Sequence, residues 1–387
     1  MRVGGIFLGV SLVAAAQTES PITRQGAFWV QTVRGEIAAD PTSLRISCPG
    51  PLSVQGVEGL AAIRYVLTRR ARTADAGEAQ RLLRQITFHS TATRSGTAVW
   101  VRRPAGYRTS CELAVEVPPS IGRAALTAET GSVRVSGLRA DVEVATVGGR
   151  IWLDRIDGNV TARTGGGDVE VGVVDGVFRC QSGGGSIRAR RIGRDARLET
   201  AGGEIIVAEI GGKLEAVTAG GNILVERAAS AVTANTAGGL ITVRQAGGIV
   251  TGSTGAGAIR VGPAAGVRAE SAGGPIEVRG ISGPVRVSTL AGSIVAELSR
   301  ADFRESYLKT RAGDVTVFIP SNLAVTIRAL NESPWRLKQI VSDFRELAVK
   351  PAGAPGVPLV IAEGALNGGG PLLEISAAGG TIYLRRK

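Results

Sequence analysis

One short phrase recurs through residues 142–317, and it restricts this chain to very few folds. In Thr164-Gly165-Gly166-Gly167-Asp168-Val169-Glu170-Val171, a hydroxyl residue leads into a Gly pair and then an apolar–polar–apolar alternation. Thr200-Ala201-Gly202-Gly203-Glu204-Ile205-Ile206-Val207 and Thr236-Ala237-Gly238-Gly239-Leu240-Ile241-Thr242-Val243 repeat it. The leading hydroxyls Thr146, Thr164, Ser182, Thr200, Thr218, Thr236 and Thr254 stand 18 residues apart, and Ser271, Thr289 and Thr310 follow at spacings of 17, 18 and 21. A constant period near twenty residues means stacked supersecondary units, none of which buries a core alone.

With the hydroxyl as position zero, positions −4 and −2 are mostly apolar or small (Val160 and Ala162, Leu214 and Ala216), while −3 and −1 are mostly polar (Thr161 and Arg163, Arg197 and Glu199). Beyond the Gly pair, positions +5 and +7 are apolar (Ile205 and Val207, Ile223 and Val225), and a further apolar residue often follows at +10. Period-two alternation is the pattern of a strand with one buried face. Each coil therefore reads as strand, Gly corner, strand and second turn, with the Gly pairs serving as corners through their tolerance of positive φ. The expected class is all-β: a single-stranded β-solenoid with coils of about 18 residues and one short N-terminal helix.

Four segments follow from this pattern. Residues 1–16 read as a signal peptide: Arg2, then an apolar run, then Ala14-Ala15-Ala16 before Gln17. Residues 17–125 carry strand-like runs at 43–47, 60–67, 97–102 and 113–117 without the strict period. They also carry a helix at 76–86, capped by Asp75 and positioned to cover an open end of the stack. Residues 126–319 hold the repeats. Residues 320–387 hold a Pro- and Gly-rich insertion and one returning coil, Ala377-Ala378-Gly379-Gly380-Thr381-Ile382, expected to close the stack. No run of eighteen apolar residues follows the signal, so export to the periplasm, cell envelope or medium is expected.

The chain is similar to a bacterial family of candidate adhesins built of β-strand repeats, a domain of unknown function, and to the head-GIN type of autotransporter-adhesin domains. The resemblance rests on the Thr-x-Gly-Gly-x-Ile-x-Val phrase, the helix near 76–86, and Ala365-Leu366-Asn367-Gly368-Gly369-Gly370-Pro371-Leu372 before the last coil, and spans roughly residues 40–384. It implies a right-handed, exported β-solenoid and supplies no catalytic or binding residues. The chain departs from the pattern at Ala256, Ala291 and Ala312, where Ala replaces the first Gly of the pair.

Little in the sequence points to catalysis. His89 is the only histidine, so His triads and His-cluster zinc sites lack their parts. The Gly-rich phrases lead into strands and lack a Gly-Lys-Ser/Thr ending, which argues against a nucleotide site. The enzymatic alternative is a polysaccharide lyase or hydrolase on a β-helix platform, with Asp157 and Asp175 at equivalent positions and Arg155 and Arg191 nearby in sequence. The reading preferred is a non-enzymatic binding or scaffold module that needs no cofactor or metal.

The formal net charge is +12 and comes almost wholly from arginine, since Lys213, Lys309, Lys338, Lys350 and Lys387 are the only lysines. The densest cluster, Arg179, Arg188, Arg190, Arg191, Arg194 and Arg197, offers Arg179, Arg188, Arg190 and Arg197 as an outward basic face. Its expected partners are an anionic polysaccharide, an envelope component or another protein. Of three cysteines, Cys48 and Cys111 form the disulfide candidate, and Cys180 stands at a small core position.

Overall fold

Every apolar position of the repeat points to one side of its strand. In Val160–Thr164, Val160, Ala162 and Thr164 are buried while Thr161 and Arg163 are not. A computed structural model describes residues 17–40, 42–93, 95–299, 301–332, 340–352 and 359–387, so the signal-peptide expectation at 1–16 lies outside the described residues. The chain is an all-β solenoid of stacked coils with one short helix, dividing into two units, 1–165 and 166–387.

In the first unit, Ser43–Cys48, Arg123–Ala128, Asp141–Thr146 and Val160–Thr164 pair in parallel to form one sheet. Leu52–Gly56, Val133–Leu138 and Ile151–Ile156 form the other. The earliest coil is interior. Leu44 pairs with Thr97 and Leu52 with Leu113, so strands Gly96–Arg102 and Thr109–Val117 lie beyond it. Antiparallel strands Thr87–Thr93, Ala62–Ala71 and Phe28–Ala38 follow outward. The helix, Ala76–Arg84, buries Ala79 and Leu83 against Ala71, with Trp29, Ile22 and Leu82 around them. The Asp75 carboxylate caps it by accepting the Glu78 N–H at 2.6 Å.

The second unit holds the strictest repeats. Phe178–Ser182, Ala196–Thr200, Leu214–Thr218 and their successors stack in parallel, as do Ile187–Ile192, Ile205–Ile210 and Ile223–Ala228. Partners lie one repeat apart, Ile205 on Ile223 and Thr200 on Thr218. The returning coil does not end the stack. Leu372–Ala377 lies between Ser306–Thr310 and Val325–Asn331, and antiparallel strands Val360–Leu366 and Ala348–Pro351 come after. The segment 320–370 thus supplies strands Val325–Asn331, Ile340–Ser342, Ala348–Pro351 and Val360–Leu366; of these the sequence suggests only a short strand near 357–362, whose first two residues lie outside the described residues.

The hydroxyl column is a buried hydrogen-bonded spine. Thr218 Oγ1 donates to the Gly203 carbonyl of the preceding coil at 2.9 Å and accepts the Gly221 N–H of its own coil at 3.2 Å. Thr200, Thr236, Thr254 and Thr289 repeat both bonds, as does Thr146 in the first unit. A hydroxyl suits the position because it donates and accepts at once. Toward the ends of the stacks the column changes: Cys48 and Ala128 align with Thr146, and Ala377 aligns with Thr310. Asn331, aligned with Ala377, reaches the Gly380 carbonyl through Nδ2 at 2.8 Å.

The Gly pairs serve a different purpose from the positive φ that the sequence implied. A Cβ on Gly221 would lie 1.9 Å from the Gly203 carbonyl oxygen, whereas one on Gly220 would meet nothing within 4 Å, and neither residue has positive φ. The second Gly is required by the close approach of successive corners. The first is not, which is why Ala256, Ala291 and Ala312 are accommodated there.

Candidate functional site

Outward residues of the two sheets face opposite ways, because each sheet turns its apolar positions onto the shared core. Arg179 and Arg197 project from Phe178–Ser182 and Ala196–Thr200, and are direct cross-strand partners one coil apart. With Asp195, Lys213, Glu215 and Thr233 they line a shallow groove of about 470 Å³. Arg197 is held on both sides: Nε lies 2.5 Å from Glu199 Oε1 and Nη1 3.0 Å from Glu215 Oε2. Hydrogen bonds from Gln181 and Arg197 keep the Glu199 carboxyl below its ordinary range, and the Glu199 contact raises that of the Arg197 guanidinium. Arg179 and Lys213 make no ion pair among the described residues.

Arg188 and Arg190 project from Ile187–Ile192, in the other sheet, whose Ile187, Ala189 and Ile192 are buried. The Gly corner between the strands carries them to the opposite outer face. The four arginines therefore form two pairs and do not share a surface. Arg188 Nη2 lies 3.7 Å from Glu204 Oε2, while Arg190 and the neighbouring exposed Arg191 have no ion pair among the described residues.

A second groove on the hydroxyl-spine sheet, of about 430 Å³, escaped the sequence reading; Ser253, Glu270, Ser288, Leu290, Lys309 and Arg311 line it. Its signal was Leu290, which is 54% exposed at a position where other coils carry Ala201, Ala219 or Ala237. Lys309 and Arg311 make no ion pair among the described residues, with Glu270 on the wall of the same groove.

The remaining candidates fall elsewhere. Asp157 is exposed in the first unit and Asp175 is exposed in the second. His89 bonds Thr87 Oγ1 through Nε2 at 2.8 Å and stacks on Trp100, which is the setting of a packed strand residue. At Gly203, Gly221 and Gly239 the second Gly of the corner spends its N–H on the spine hydroxyl, so that amide is not directed outward to a phosphate. Among the described residues no group of three His, Cys, Asp or Glu side chains could hold a metal ion, and no helix is long and apolar enough to cross a membrane.

Cys48 and Cys111 are both free, buried thiols, and Cys48 Sγ donates to the Pro51 carbonyl at 3.8 Å. The neighbouring Cys111 thiol and burial raise the Cys48 thiol, and the influence of Cys48 lowers that of Cys111. Cys180 is alone in the core, where desolvation raises its thiol.

Together these features define a β-solenoid with shallow cationic grooves on its outer faces. No family model matches the chain, and no curated protein matches it. Three solved structures are similar in outline. A candidate adhesin from Bacteroides fragilis aligns over 68% of this chain and 95% of its own, at 14% identity and a TM-score of 0.30. A candidate cell adhesion protein from Clostridium sporogenes aligns over 96% and 100%, at 10% identity and 0.16. A candidate lipid binding protein from Parabacteroides distasonis aligns over 92% and 96%, at 10% identity and 0.26. Likeness this loose carries no argument about function.

Proposed function

We propose that this chain is an exported, non-catalytic surface module, of adhesin or scaffold type, that binds anionic polysaccharide along its outer faces. The observation that carries the reading is the register of Arg179 on Arg197, with Lys213 one coil further on, in a single open groove. Arg179 and Arg197 repeat at the coil spacing of about 4.8 Å, and Lys213 follows on the next coil two residues before Glu215, an arrangement that suits a polymer repeating its own charges. The second groove, with Lys309 and Arg311, supplies the same chemistry further along the stack. Exposed ion pairs such as Arg197–Glu215 contribute little to stability, so these positions are free to serve binding. Export rests on residues 1–16, with Arg2 and Ala14-Ala15-Ala16 as its marks.

The test is equilibrium binding of the full chain to polygalacturonate and heparin across a salt series. Saturable binding that weakens with salt, and by about tenfold or more in Arg179→Glu/Arg197→Glu/Lys213→Glu, is expected. Binding that ignores both salt and these substitutions would refute the reading.

A further inference from the structure

One sheet edge of the first unit is left bare. The strand Thr87–Thr93 pairs antiparallel with Gly96–Arg102, and among the described residues no strand pairs with its other side. Alternate N–H and C=O groups along that side therefore have no ladder partner. Other ends of the fold are treated differently. In the other sheet of this unit, the long strand Phe28–Ala38 is covered by Thr18–Glu19 and by Thr23–Gln25. In the second unit, the outermost strand Ala348–Pro351 is short, carries Lys350 and ends in Pro351, all of which discourage further pairing. The helix gives Thr87–Thr93 no comparable cover, since Ala79 and Leu83 are buried against Ala71 of the other sheet.

We propose that Thr87–Thr93 is a dimerisation edge, occupied by the same strand of a second copy running antiparallel about Ser90. Charge is the first reason to name a second copy. In a chain of net charge +12, residues 87–93 include no Lys, Arg, Asp or Glu, so two copies meet here without opposed like charges. Self-complementarity is the second. With Ser90 on the dyad, Phe88 faces Ala92 of the second copy and His89 faces Thr91. Phe88 is half-buried, its ring stacked on Tyr65 at 3.7 Å, and Ala92 is exposed. A large side chain thus meets a small one twice, and each covers apolar surface that a single chain leaves to water. Phe88 and Ser90 align with the buried Val101 and Val99, so alternation puts His89 and Thr91 on the outer face. Backbone bonds then continue one sheet across two chains, and the side-chain pairs set the register.

The edge lies in the first unit and shares no residue with the cationic grooves, so this proposal and the polyanion reading can fail separately. The experiment is sedimentation velocity of the full chain across micromolar to near-millimolar concentrations. A concentration-dependent dimer is expected, unchanged in Arg179→Glu/Arg197→Glu. His89→Asp/Thr91→Asp and His89→Lys/Thr91→Lys each oppose like charges twice across the dyad, and each is expected to weaken association about tenfold or more. Their equimolar mixture sets Asp against Lys and is expected to recover the dimer. Ser90→Cys places two thiols together at the dyad, and a short bis-maleimide is expected to join them, the native cysteines all being buried. That cross-link decides the matter should a charged variant fail to fold. A parent that stays monomeric, a dimer that persists in both charged variants, a mixture that does not associate, or no cross-link through Ser90→Cys overturns the proposal.

Discussion

Replacing Thr218 by Val isolates the energetic role of the hydroxyl spine. Thr218 is 3% exposed, and Val keeps its branched shape, so no cavity forms and only the polar atom is exchanged. Two hydrogen bonds are lost, to the Gly203 carbonyl and from the Gly221 N–H. Each is worth about 1 kcal/mol net, and leaving buried backbone partners unpaired costs about 1–3 kcal/mol. The extra buried methyl returns roughly 1 kcal/mol. The expected loss is therefore about 2–4 kcal/mol, read as a lower urea midpoint at unchanged slope. Exchange of the Gly221 amide should accelerate by roughly thirtyfold, the equivalent of about 2 kcal/mol. Thr218→Ser, which keeps the hydroxyl, should retain most of the stability. A Val variant within about 0.5 kcal/mol of the parent, or a Ser variant as damaged as the Val one, refutes the reasoning.

The corner makes a paired prediction: Gly220→Ala is neutral or gains up to about 1 kcal/mol, whereas Gly221→Ala drives a Cβ into the Gly203 carbonyl and lowers the melting temperature sharply. Arg155 has φ of 52° at a position where the preceding coil carries Gly137 at 69°, so Arg155→Gly should stabilise by about 1 kcal/mol in urea melts. Diamide should oxidise Cys48 and Cys111 to a bridge, detected as a two-hydrogen mass loss and absent in Cys111→Ala, that stabilises by about 4 kcal/mol through loop closure. Cys180 has a thiol raised by burial, so its contribution is full below an unfolded thiol pKa of about 8.5 and declines at higher pH, where only the unfolded thiol ionises. The stability gap between the parent and Cys180→Ala should accordingly shrink by up to about 1.4 kcal/mol per pH unit above 9.

The solenoid was legible because each of its determinants is local. Thr218, Gly221, Ile223 and Val225 lie within one repeat and state the corner, the spine and the buried face together. The antiparallel ends were hidden for the opposite reason: Val325–Asn331 pairs with both Leu372–Ala377 and Val360–Leu366, and no period connects segments so far apart. Alternation told which arginines point outward. It did not tell which of two sheets each belongs to, so Arg188 and Arg179 fell on opposite faces. The glycines were found correctly and explained wrongly, since steric approach between coils leaves no trace in a single repeat.

One spacing in the spine has a practical meaning. Thr289 and Thr310 are separated by 21 residues, yet Thr310 Oγ1 still donates to the Gly292 carbonyl at 2.8 Å. The additional residues are absorbed between Leu298 and Ser306, in the turn remote from the Gly corner. Tolerance of length in this fold is one-sided. A coil can carry a graft on its unpinned turn, whereas the Gly corner is fixed by the bonds that join each layer to the one before. That asymmetry marks the turn after Leu298 as the natural place to display a foreign peptide, with the solenoid beneath it left in register.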